Sequence, residues 1–109
     1  MKTESLSGLA EQHLAIARQA SNGRSAQTVH GGHAGVLRQT LIALAGGRQL
    51  DEHESPGEAT LQVLHGHVRL IAGADEQAAT TGELLAIPDA RHSLKAVHDS
   101  VVLLTVAKP

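Results

Sequence analysis

Phe, Tyr and Trp are all absent from the 109 residues, so the core has to be packed from Leu, Ile, Val and Ala, and no pocket can offer a ring for a base or a sugar to stack on. Recognition on an aromatic platform is excluded. The placing of the aliphatic residues then decides the fold class. Beyond residue 24 they fall in short runs of Val, Leu, Ile and Thr, broken at intervals by glycine, proline and aspartate, which is the texture of an all-β antiparallel barrel or sandwich. Strands are expected at 25–29, 36–45, 49–53, 59–65, 67–72, 83–87, 92–97 and 101–107. Turns are expected at Gly31-Gly32, Gly46-Gly47, Pro56-Gly57, Gly66, Gly73, Pro88-Asp89 and His98-Asp99.

Ahead of the strands, Leu6, Leu9, Ala10, Ile16, Ala17 and Ala20 recur at helical spacing while Glu11, Gln12, Arg18 and Gln19 fall on the other side, which predicts one amphipathic helix over 6–20. Ser5 or Ser7 can cap its start, and Asn22-Gly23 supplies a stop. His13 lies within the apolar stripe and is expected to be a packed histidine bonded to a neighbour. The organisation read from this is a single domain, with a helix and linker at 1–24 and a barrel at 25–109.

Lys plus Arg is 9 and Asp plus Glu is 11, a net charge of −2, which offers no general attraction to nucleic acid or to an anionic membrane surface. The longest apolar runs are far below the roughly 20 residues of a spanning helix. The opening lacks the charged-then-apolar layout of a secretory signal, so the cytoplasm is the expected compartment. With no cysteine, thiolate chemistry and Cys-ligated zinc are excluded. Histidine is plentiful instead, at positions 13, 30, 33, 53, 65, 67, 92 and 98, and it is the usual metal ligand and proton carrier near neutral pH.

Gly47-Arg-Gln-Leu-Asp-Glu-His53-Glu-Ser55-Pro-Gly-Glu58-Ala59, running on to Val63-Leu64-His65-Gly66, resembles the first cupin motif: glycine, five residues, His-x-His, a short gap, Glu, six residues, glycine. Gly82-Glu-Leu-Leu-Ala-Ile-Pro88-Asp-Ala-Arg-His92 resembles the second. The resemblance covers residues 36 to 107. It implies a small cupin-type jelly-roll barrel whose motif histidines and glutamate point inward and commonly hold a divalent metal, and it implies pairing as a homodimer.

This chain departs from the motif at two metal positions. Ser55 stands where the second histidine is expected, and Ala59 stands where the glutamate is expected; only His53 and His92 carry over. Fe, Mn, Ni or Zn would need three or four protein ligands. Glu58 is the nearest substitute, but strand alternation turns it outward when Leu61 and Val63 face in, unless a bulge or late strand start near Pro56-Gly57 intervenes. The expected ligand-binding set is His53, Ser55, Leu61, Val63, Arg91 and His92, with His53, His92 and Glu58 as metal candidates.

The remaining histidines read as structural or solvated: His65 and His67 as a hairpin tip, His30 and His33 as loop residues, His98 as a turn residue. There is no G-x-S-x-G elbow and no glycine-rich phosphate loop. His53 and His92, with Glu54 or Glu58 nearby, offer acid–base chemistry. The first reading is a barrel that binds a small molecule. The alternatives are a metal-dependent dioxygenase or isomerase, and a structural or regulatory dimer.

Overall fold

The computed structural model describes residues 1–55 and 57–108, so Pro56 of the expected Pro56-Gly57 turn lies outside them. The helix α1 spans Leu6–Gln19. Ser5, in extended conformation, caps it by accepting the Gly8 N–H on its Oγ at 3.1 Å, which satisfies one of the unpaired donors of the first turn. The exit differs from the expected Asn-Gly stop. The chain turns extended already at Ala20, and Gly23, at φ +68°, sits in the turn that follows.

Among the described residues nine strands follow: β1 (Arg24–His30), β2 (Leu37–Leu44), β3 (Gln49–His53), β4 (Glu58–His65), β5 (His67–Ala72), β6 (Asp75–Thr80), β7 (Leu84–Ala86), β8 (His92–Ala96) and β9 (Ser100–Ala107). They form two antiparallel sheets, ordered β1-β2-β9-β4-β7 and β3-β8-β5-β6. The strand β6 is absent from the expectation. Its sequence Asp-Glu-Gln-Ala-Ala-Thr carries no alternating apolar signal, because it is an edge strand that buries only Ala79.

The near-continuous apolar runs of β2 and β9 are explained by burial on both faces. In register, Leu41 opposes Leu103 and Ala43 opposes Val101, all four on the face that α1 covers with Leu14 and Ala17. Ile42 and Val102 alternate to the opposite face. There Leu44, Leu61, Val63, Val68, Leu70, Ala79, Leu94, Ala96 and Val102 close the space between the sheets. Each fully buried Leu or Val contributes about 1.5–3 kcal/mol. His13 behaves as expected: it is buried, with Nε2 donating to Gln27 Oε1 at 2.8 Å and Nδ1 paired with the Ser25 hydroxyl at 2.6 Å, so it rivets α1 to β1.

Gly66 is not the tip of a hairpin. The strands β4 and β5 lie in different sheets, and so do β8 and β9, so Gly66 and the 97–99 turn are neighbouring corners where the chain switches sheet. A register shift between Val63 and His65 bends β4 into its corner. Gly66 has φ +103°, and a Cβ there would lie 2.4 Å from both the Asp99 carbonyl oxygen and Ser100 Oγ. Ser100 Oγ accepts the His67 N–H at 3.0 Å and contacts the carbonyls of His67 and His98 at 3.1 and 2.7 Å. Asp99 extends the junction to α1: Oδ1 accepts the Gly46 N–H and Oδ2 the Arg18 Nε–H, both at 2.7 Å. Those two donors hold the Asp99 carboxyl below its usual range.

Two outcomes follow for stability. Gly66→Ala should lose at least about 2–3 kcal/mol in urea unfolding, because positive φ and a backbone clash add; a loss under 0.5 kcal/mol would show that the corner relaxes freely. Asp99 has a lowered pKa when folded, so its contribution is complete above the ordinary aspartate value of about 3.9 and is lost as pH falls through the lower folded value. For a half-exposed pair this amounts to about 0.5–1 kcal/mol. Asp99→Asn should therefore be less stable than the parent at pH 7, with the gap narrowing as pH falls below the ordinary aspartate value.

Candidate functional site

The strand β3 would turn Leu50 and His53 to opposite faces if it were regular. Its pairing with β8 prevents this: Leu50 lies opposite Leu94 and His53 opposite His92, so three steps on β3 match two on β8. One bulge residue restores His53 to the inner face, the face on which Leu94 and the buried His92 lie. The two rings then meet edge to face, with centroids 4.5 Å apart and planes inclined at 61°.

Both rings are oriented by the backbone. His53 Nδ1 donates to the Asp51 carbonyl at 2.9 Å, and His92 Nδ1 donates to the Ala90 carbonyl at 2.9 Å. A carbonyl only accepts, so each neutral ring carries its proton on Nδ1 and keeps an unshared lone pair on Nε2. Fixing one nitrogen in this way sets the tautomer and aim of the other. His92 is buried and His53 exposed, so the pair forms one wall of a barrel mouth with access from solvent.

The other expected site residues are placed differently. Leu61 and Val63 are 3% and 0% exposed and belong to the closed core, so they fill the barrel and do not line an open cavity. Ser55 turns its hydroxyl onto the Gly57 carbonyl at 2.9 Å. Arg91 donates to Glu52 and Glu54, each at 3.0 Å, and these pairs raise its pKa. With both carboxylates on one guanidinium, the rim beside the histidines is acidic on balance. Glu58 starts β4 in regular register opposite Ala107 and is exposed; no bulge turns it inward.

Among the described residues no group of three or more His, Asp or Glu is placed to hold a metal ion. The histidine pair offers two nitrogens. Ala59, on the inner face and 6% exposed, offers nothing where a third ligand would have to stand. The residues present therefore do not fit a resident metal held by the protein alone.

A cleft of about 690 Å³ opens beside the barrel between the facing edges β6 and β7. Leu70, Ala79, Leu85, Pro88 and Ala90 line it, with Asp75, Glu76 and Glu83 at its polar margin. It is hidden from the sequence because one wall is β6.

No family profile and no curated protein matches the chain. Solved structures do. An RmlC-like cupin from Desulfovibrio desulfuricans is 24% identical over 98% of this chain and 96% of its own, with a TM-score of 0.74. A conserved protein of unknown function from Streptococcus pyogenes is 25% identical over 83% of this chain and 78% of its own, with a TM-score of 0.73. A salicylate 1,2-dioxygenase from Pseudoaminobacter salicylatoxidans, in complex with gentisate, superposes with a TM-score of 0.77 at 15% identity; the match covers 92% of this chain and 32% of the dioxygenase. With two sheets closed around an aliphatic core and relatives of this name matching along almost the whole chain, the protein has the fold of a small RmlC-like cupin.

Proposed function

We propose that the protein is a small-molecule-binding cupin whose His53–His92 pair supplies the polar contact. The observation that carries this reading is the free Nε2 lone pair on each of two touching rings, both aimed by backbone carbonyls. Two neighbouring acceptors fit a ligand with two adjacent donors. Glu52 and Glu54 stand at the rim against the single charge of Arg91, which disfavours an anion. The class that fits is a small uncharged molecule bearing adjacent hydroxyl or N–H groups, such as a vicinal diol. A preorganised pair of acceptors that loses little on binding is the usual polar element of such sites.

The test is a thermal-shift series with vicinal diols and the corresponding hydroxy acids. A diol at a hundred times its Kd stabilises the folded state by about 2.7 kcal/mol, a shift of several degrees for a domain of this size. His92→Ala should abolish the shift, and hydroxy acids should give a smaller one. A larger shift with the acids, or an equal shift in His92→Ala, would place recognition elsewhere.

The missing ligands give a second outcome. Installing both family residues, Ser55→His with Ala59→Glu, should cost stability in metal-free protein because a carboxylate enters a buried position. The double variant should bind one more divalent ion per chain than the parent by elemental mass spectrometry after dialysis, and His92→Ala should remove that extra ion. An unchanged metal content would mean that these two positions do not converge on the histidine pair.

A further inference from the structure

The strands β6 and β7 follow each other in the chain but belong to different sheets. They part at the turn after Thr80, where the Glu83 N–H donates to the Thr80 carbonyl at 2.9 Å, and the cleft of about 690 Å³ lies between them. This turn closes one end of the cleft. The other end opens between Asp75, the first residue of β6, and Pro88, which follows β7.

Register decides which side chains face inward from β6. Directly opposed residues of an antiparallel pair share a face, and Asp75, Gln77 and Ala79 lie opposite Ala72, Leu70 and Val68. Leu70, Val68 and Ala79 belong to the core, so Asp75 and Gln77 stand on the inner face. Glu76 is on the outer face, where Arg69 holds it at 3.2 Å. Leu70, Ala79 and Leu85 give the cleft an apolar floor.

Two carboxylates stand at the ends of this floor. Glu83 Oε1 accepts the Thr80 N–H at 2.7 Å and the Thr80 hydroxyl at 3.0 Å, which fixes the carboxylate at the closed end. Those two donors hold its carboxyl below the usual range. Asp75 lies exposed at the open end. The five strand steps from Asp75 to Thr80 cover roughly 16 Å. No Lys, Arg or His lines the cleft among the described residues, and the charge of His67 reaches Glu83 from outside the lining.

The geometry points to a site for an extended aliphatic ligand with an ammonium group at each end, its chain on Leu70, Ala79 and Leu85 and its heads on Asp75 and Glu83. An eight-carbon chain spans about 11 Å between its terminal nitrogens, and an N–H···O contact of about 2.8 Å at each end brings it to the length available. The floor suits methylene groups, and the two like charges disfavour a fatty or dicarboxylic acid. A partner strand fits less well, because β7 offers an edge of only three residues. The cleft uses neither His53 nor His92, so the assignment does not rest on the ligand reading above.

The experiment is a titration of the ¹⁵N-labelled chain, followed by amide shifts, with 1,8-diaminooctane, 1,8-octanediol and octanedioate. At about pH 7.5 the alkylammonium stays charged and an ordinary imidazole is mostly neutral. The diamine is expected to shift the amides of Leu70, Ala79 and Leu85 and to bind at least about tenfold more tightly than the diol, as expected for two partly screened charge pairs. Added salt should weaken it, and octanedioate should not bind. Asp75→Asn with Glu83→Gln should bind the diamine about tenfold more weakly and octanediol as the parent does. The double variant keeps the fold, since Asp75 is exposed and a glutamine oxygen still accepts from Thr80; its amide spectrum checks this. Diamine binding that is absent, no tighter than that of the diol, unchanged in the double variant, or centred on the His53 and His92 amides overturns the assignment. Concentration-dependent shifts of the same amides without diamine would mean that a second copy fills the cleft, and would also overturn it. Vicinal-diol binding at the barrel mouth should be unchanged in the double variant, which separates this outcome from the fate of the first proposal.

Discussion

Ser100 Oγ touches three backbone groups at the point where two strand pairs change sheet, and the rest of the barrel hangs from that contact. One strand of each pair lies in either sheet, so the corner sets how far the two sheets can slide past each other. From it β9 runs between β2 and β4, and β8 runs between β3 and β5. Asp99 carries the same restraint to α1 through Arg18. A hydroxyl serving several backbone partners in a buried corner is satisfied on every side, which is the condition under which a buried polar group specifies a structure instead of weakening it.

The same organisation explains why so little of the barrel interior is left for a ligand. A core without aromatic rings is built from side chains that interdigitate closely, and Leu44, Leu61, Val63, Leu70, Leu94 and Val102 meet in the middle. Polar chemistry is confined to the ends of strands. One end holds His53 and His92, the other His67 and His98. Backbone carbonyls orient the first pair, and only the anchored main chain positions the second. Ala59, where the resembled motif carries a glutamate, fits this division, since an unpaired buried carboxylate would be costly where a methyl group packs without penalty.

Much of this was legible from residue types. The runs Leu41–Leu44 and Val101–Leu104 announced strands buried on both faces, the spacing of Leu6, Leu9, Ala10 and Ala17 announced the helix, and the two motifs announced that His53 and His92 would converge. The bulge in β3 was not legible, although the convergence depends on it, because a bulge among Asp51 and Glu52 leaves no mark in residue type. Leu61 and Val63 were correctly turned inward, yet whether an inward residue lines a cavity or fills it depends on the opposite sheet. His65 was read as solvated although it has the inward parity of β4, and the register shift after Val63 is what leaves it exposed. Glu58 followed alternation and stayed outside.

The polar sequence that concealed β6 also has a consequence for how copies of this chain behave together. The outer edge of β6 leaves backbone groups over Asp75–Gln77 without a strand partner among the described residues, a template on which another strand could extend the sheet. Asp75, Glu76 and Gln77 lie exposed along it, so a second copy approaching edge to edge brings like charges together. The neighbouring edge β7 is only three residues long, too short to nucleate pairing. A barrel left open on one side is thus guarded against polymerisation by the very residues that make its edge unrecognisable as a strand.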